Sequence, residues 1–164
     1  MRRLIVAALV MVLGTVALAQ APTYFVKADM VRGAQGAMGP VCVPNSVFFN
    51  GEMIVFRAVV YDAATGEELL FDEIQARGIT ATVVMDGREG AAMFFPPPGG
   101  GGEGEDGPPP GADFFRGPWA IPADFPTGMY TWHIEVTDDQ GNTATFDPIS
   151  GAIGLNNITI QAAN

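Results

Sequence analysis

Apolar and polar positions alternate most clearly from Tyr130 to Thr137, with Tyr130, Trp132, Ile134 and Val136 on one side and Thr131, His133, Glu135 and Thr137 on the other. A period of two belongs to a half-buried strand, with the aromatic and aliphatic bulk inward and the imidazole in water. Asp138-Asp139-Gln140-Gly141-Asn142 breaks the alternation with residues that tolerate positive φ or bond their own backbone, and Thr143 to Phe146 begins a second run. The pattern predicts a β-hairpin. Met53 to Asp62 alternates as well: Ile54, Phe56, Ala58 and Val60 form one face, Val55, Arg57, Val59 and Tyr61 the other. Both faces are apolar apart from Arg57, so this strand is expected to be central in its sheet or covered on its outer side.

The weaker patterns fill in the rest. Thr23 to Ala28 predicts a short edge strand, and Met30 to Pro40, rich in Gly and Ala with no period, a linker or flat edge crossing. Val41 to Phe49 predicts a strand that Pro44 confines to an edge or bulge, and Asn50-Gly51 a turn. Glu67 to Arg77 allows one or two helical turns within a crossing between sheets. Ile79 to Met85, closed by Asp86-Gly87, is expected to pair with Gly90 to Phe95, and Leu155 to Gln161 supplies a last strand. Pro96 to Gly111 holds only Pro, Gly and acids, so it has nothing to bury and reads as a mobile, solvated spacer. Phe94-Phe95 and Phe114-Phe115 bracket it, as though a hairpin tip had been lengthened.

About seven to nine short strands spaced roughly 10 residues apart indicate an all-β fold, a two-sheet antiparallel β-sandwich. The expected core is Ile54, Phe56, Ala58, Val60, Ile79, Val83, Trp119, Ile121, Tyr130, Trp132, Ile134 and Val136.

The 164 residues suit one domain. Ahead of it, Arg2-Arg3, the apolar run Leu4 to Leu13, and Ala17-Leu18-Ala19 have the order of a secretory signal peptide cleaved after Ala19. A membrane anchor needs about 20 apolar residues and other flanks. The expected division is a leader over 1–19, an edge strand and linker over 20–46, and a sandwich over 47–164 containing the 96–111 loop. No later segment reaches spanning length, which points to an exported chain in the periplasm, at the cell surface or outside the cell. With the leader removed, six basic side chains face eighteen acidic ones, a balance that disfavours nucleic acid as a partner.

The stretch Phe49 to Phe146 resembles bacterial immunoglobulin-like domains of secreted and cell-surface proteins. Val59 to Gly66 (VVYDAATG), Thr80 to Gly87 (TATVVMDG), Asp124 to Tyr130 (DFPTGMY) and Thr137 to Asn142 (TDDQGN) carry the likeness. The resemblance implies that Asp124, Gly128 and Tyr130 form a tyrosine corner, the Tyr130 hydroxyl bonding backbone a few residues upstream. Where antibody domains carry a disulfide cysteine two residues later, this chain has Trp132. Such sandwiches host many roles, so the likeness speaks to architecture more than to activity.

Candidate chemistry is sparse. With one His and one Cys, a hydrolytic site would need His133, outward on its strand, beside Cys42, Ser46 or Ser150, so a non-catalytic chain is expected. Cys42, His133 and some of Met30, Met38, Met93 and Met129 could form a soft copper site, although the blue-copper class needs a second His. Asp138, Asp139 and Asn142, with Asp62 and Glu67 at another turn and Glu103, Glu105 and Asp106 in the loop, offer hard oxygens for calcium without EF-hand spacing. The plainer readings are methionines filling a core and Asp-rich turns bonding their own backbone. Cys42 is expected to be buried or used between chains. A protein partner is expected, with Val55, Arg57, Val59 and Tyr61 as the face that meets it. The alternative is a copper- or calcium-binding accessory of an exported redox system.

Overall fold

The computed structural model describes residues 22–86, 88–96, 114–148 and 157–163. The elements in chain order are β1 (Tyr24–Arg32), β2 (Val47–Phe49), β3 (Met53–Asp62), α1 (Phe71–Ala76), β4 (Thr80–Met85), β5 (Arg88–Met93), β6 (Phe115–Ala120), β7 (Gly128–Thr137), β8 (Thr143–Phe146) and β9 (Asn157–Gln161). They make two sheets, a three-stranded one ordered β1-β3-β6 and a six-stranded one ordered β2-β9-β7-β4-β5 with β8 also on β7. The expected leader, all but the start of the 96–111 loop, and Gly87 of the Asp86-Gly87 turn lie outside the described residues.

The two best alternations build the core. Ile54, Phe56, Ala58 and Val60 of β3 and Trp132, Ile134 and Val136 of β7 are buried, while His133 and Glu135 face out. Phe56 and Trp132 meet across the sandwich with ring centroids 5.4 Å apart, and Phe146 packs on Trp132 at 5.7 Å. Every side chain expected in the core is buried except Trp119 and Tyr130, which are half-buried and packed against it. Met30, Phe48, Leu69, Ile74, Ile158 and Ile160 join them from segments whose pattern is too short to announce a buried face.

Four expectations are corrected in detail. The N-terminal strand does not stop at Ala28: β1 pairs with β3 from Tyr24↔Asp62 to Arg32↔Ile54, and Tyr24, Met30 and Val31 are buried. The strand is nonetheless an edge, as expected, since β1 lies outermost in the sheet β1-β3-β6. Within Val41 to Phe49 only β2 is a strand; Pro44 keeps a bridge to Val31, and the Cys42 N–H donates to the Arg32 carbonyl at 2.8 Å. β2 then runs parallel to β9, so pairing is not wholly antiparallel. The chain has the length to do this because 14 residues separate β1 from β2. Finally, β5 and β6 are not one hairpin. They belong to different sheets and meet where Phe94 and Arg116 exchange backbone bonds of 2.8 Å each. Gly117 permits that approach, since a Cβ there would lie 2.9 Å from Met93 Cγ.

β8 and β9 share one edge of β7. Ile134 faces Phe146, so an unbroken strand would set Thr131 against residue 149, yet Thr131 faces Asn157. They are two parts of one edge with extra chain between them.

One end of the sandwich is tied by a buried carboxylate. Glu52 is 0% exposed; Oε1 accepts the Met38 N–H at 2.6 Å and lies 2.9 Å from Arg32 Nε, while Oε2 accepts the Phe49 N–H at 2.9 Å. Arg32 also donates to the Val47 carbonyl at 3.0 Å and covers the Phe48 ring. The backbone of the same turn reaches further: the Ile121 N–H donates to the Glu52 carbonyl at 2.9 Å, and the N–H of Gly51, at φ 86°, to the Ile121 carbonyl at 3.1 Å.

Removing one member of a buried ion pair strands the other. Glu52→Ala is expected to cost about 3–5 kcal/mol, and Trp132→Ala, which empties the centre of the core, about 3–5 kcal/mol. Glu135→Ala, facing solvent, should stay within about 0.5 kcal/mol of wild type. Equilibrium unfolding in urea measures all three.

Candidate functional site

The outer face of the three-stranded sheet follows from its register. Phe25 faces Tyr61, Lys27 faces Val59, Asp29 faces Arg57, and Val31 faces Val55 across β1 and β3; on the other side of β3, Arg57 faces Arg116 and Val55 faces Pro118. Val55, Arg57, Val59 and Tyr61 are all half-buried, and β3 is the central strand of its sheet. Phe25 keeps 55% of its surface exposed at one end of this face. The Arg57 guanidinium spans both oxygens of Asp29, with Nε to Oδ1 at 2.6 Å. Asp29 holds Arg57 above its usual range, with a smaller contribution from Cys42. The pair is about one-third exposed, so it orients the guanidinium more than it stabilises the fold.

Sequence reasoning named one strand of this face and missed its neighbours. Phe114 lies over Arg116, 4.8 Å from guanidinium carbon to ring centroid, and 6.0 Å from Arg57. With Lys27, Asp29, Arg57 and Val59 it lines a recess of about 160 Å³. Arg116 Nε is buried without a hydrogen-bond partner among the described residues, and burial pushes its pKa down. Three of the six basic side chains outside the leader thus gather on one face of an acidic chain. The signal that could have found them is the outward parity of Lys27, Asp29 and Arg116, visible only once strand partners are known.

The hairpin tip proposed for calcium is a closed turn. Asp138, 8% exposed, accepts the Gln140 and Asn142 N–H groups on Oδ1 at 2.9 and 2.8 Å, and Asn142 Nδ2 and the Tyr24 hydroxyl on Oδ2 at 2.8 and 2.7 Å. The Asn142 amide serves as donor there, whereas a metal would call for its oxygen. These bonds, from Asn142 first and Tyr24 next, lower the Asp138 pKa to about 2. The Asp139 N–H donates to the Arg77 carbonyl at 3.1 Å. At the other turn, Asp62 binds Arg77 at 2.9 Å, which lowers its pKa. The Glu67 carbonyl accepts the Asp62 N–H at 2.9 Å; Glu103, Glu105 and Asp106 lie outside the described residues.

The soft-metal candidates are not brought together. His133 points outward from the six-stranded sheet, its Nε2 3.2 Å from Glu135 Oε1. Cys42 is exposed, at φ 58°, beside the end of β1 in the other sheet. Of the two expectations for Cys42, burial is corrected, because residues between Pro40 and Pro44 are exposed along the sheet edge, and use between chains is left as the other. Met30 and Met93 are in the core, while Met38 and Met129 are exposed. Among the described residues no three or more His, Cys, Asp or Glu are grouped to hold a metal ion, and no helix is long and apolar enough to cross a membrane.

Asp124 is exposed, Gly128 opens β7, and the Tyr130 hydroxyl donates to the Pro126 carbonyl at 2.6 Å. Scanned against models of known families and against curated proteins, the chain matches none.

Two measurements check this geometry. A carboxyl whose pKa falls from 3.8 unfolded to about 2 folded stabilises the fold above pH 4 and loses that contribution as pH drops toward 2. The melting temperature should therefore fall between pH 4 and 2, with a smaller step in Asp138→Asn. Cys42, in turn, should react with an aromatic disulfide reagent in native buffer about as fast as it does in the unfolded chain.

Proposed function

We propose that the chain is an exported, non-catalytic immunoglobulin-like module that works by protein contact through the outer face of its three-stranded sheet. The observation that carries the reading is that face itself: Phe25, Val59, Tyr61, Val55 and Pro118 supply apolar area around Lys27, Arg57 and Arg116. An apolar field with a few fixed cations suits a partner surface bearing aliphatic side chains and carboxylates. Export rests on the leader-like order of residues 1–19.

The immunoglobulin-like assignment is supported by the order β1-β3-β6 against β2-β9-β7-β4-β5 and by the parallel β2–β9 pair. It is supported too by the Tyr130 hydroxyl bonded four residues upstream, the tyrosine-corner arrangement. Trp132 and Phe56 are in contact between the facing strands that a disulfide joins in antibody domains.

Phe25→Asp and Lys27→Glu change exposed side chains and should leave the melting temperature nearly unchanged. Both are expected to reduce, at least tenfold, the affinity for whichever protein co-purifies with wild type from the exported fraction. Glu135→Lys, on the opposite sheet, should not. Equal retention by all variants overturns the assignment of the face, and a protein found only in the cytoplasm overturns export.

A further inference from the structure

A second site opens at the end of the sandwich where Trp119 and Tyr130 fail to enter the core. Trp119 of β6, Phe125, Pro126 and Tyr130 of β7 enclose, with Met85 and Asp86 at the end of β4, a cleft of about 370 Å³. That is within the size range of small-ligand pockets. Trp119 and Phe125 meet edge to face, centroids 5.2 Å apart at 81°, and Phe125 and Tyr130 lie 5.2 Å apart at 56°. Three differently inclined rings thus share one cavity.

The rings are held from two sides. Tyr130 is pinned to the Pro126 carbonyl, and Asn50 Nδ2 donates to the carbonyls of Ala123 and Phe125 at 3.0 Å each. Ile121, at the start of this segment, is tied to the Glu52 turn. A wall fixed before a ligand arrives loses little entropy on binding.

The polar content of the cleft is narrow. Asp86, at φ 47°, has Oδ1 taken by the N–H and hydroxyl of Thr131, both at 2.9 Å, and its backbone N–H donates to the Thr131 carbonyl at 3.0 Å. The carboxylate is oriented, and Oδ2 has no partner among the described residues. Among the described side chains, none that lines the cleft is basic. Ring faces are the negative side of an aromatic quadrupole, and the thioether of Met85 is polarisable. Aromatic faces beside a free carboxylate oxygen favour a cation with apolar substituents. A sugar would stack on the same rings but requires several hydrogen-bonding partners, and the Tyr130 hydroxyl is already committed.

We propose that this cleft binds an alkylated ammonium group, either the head of a small quaternary amine or the side chain of a methylated lysine. The net charge of −10 raises the local concentration of either.

Calorimetric titration of the purified protein with choline and with 3,3-dimethylbutan-1-ol, its uncharged isostere, tests the charge requirement without a variant. Choline is expected to bind at least tenfold more tightly, and Asp86→Asn and Trp119→Leu should each weaken it at least tenfold. Amide shifts from choline should centre on Thr131 and Phe125. A peptide carrying trimethyllysine, run beside choline and unmodified peptide, distinguishes the two sources: tighter binding of the methylated peptide assigns the site to a protein tail, tighter binding of choline to a small amine. Equal affinity for the uncharged isostere, a monosaccharide that binds where choline does not, or no heat from 10 mM choline overturns the proposal.

Discussion

A charge taken fully out of water at Glu52 is the constraint on which this sandwich depends. A buried carboxylate is tolerated only when its charge and lone pairs are met, and here the Arg32 guanidinium pairs the charge while the Met38 and Phe49 N–H groups bond the two oxygens. Those three residues come from the end of β1, the crossing segment and the end of β2. Satisfying one side chain therefore decides where a Gly- and Ala-rich stretch with no strand pattern must run. The same turn fixes Ile121, and through Asn50 it fixes Phe125, so the aromatic wall at that end inherits its position from a charge on the other side of the turn.

The two sheets have different uses for their outer faces. On the six-stranded sheet the outward positions of β7 are Thr131, His133, Glu135 and Thr137, ordinary residues for a strand in water. On the three-stranded sheet the outward positions of β3 are mostly apolar, and the cations around them are spaced by register rather than by sequence. An apolar outward strand costs solubility in a chain with few charged side chains. The Asp29–Arg57 pair limits that cost by fixing one cation in a known direction.

The sequence was most legible where alternation was long. β3 and β7 could be read residue by residue, including the outward imidazole, because eight alternating positions leave one solution for which side is buried. β1 was half legible: Ala28 is too small to mark its inward position, so the register through Met30 could not be followed. β2, three residues long, has no readable period, and its parallel pairing with β9 depends on chain more than a hundred residues away. The candidate sites fared according to range. Asp138 and Asn142 are four residues apart and do meet, as turn partners. Cys42 and His133 could be joined only by a fold, and the fold leaves Cys42 in the crossing beside β1 while His133 lies on β7 of the other sheet. Lys27, Arg57 and Arg116 carry no mutual signal at all until β1, β3 and β6 are laid side by side.

The β2–β9 pair carries a consequence for biogenesis. A sheet whose outermost strand comes from residues 47–49 and whose neighbour comes from residues 157–161 closes at that edge only after more than a hundred intervening residues have been made. Until residues 157–161 are made, β2 has no strand to pair with, although β1, β3 and β6 can already form their own sheet.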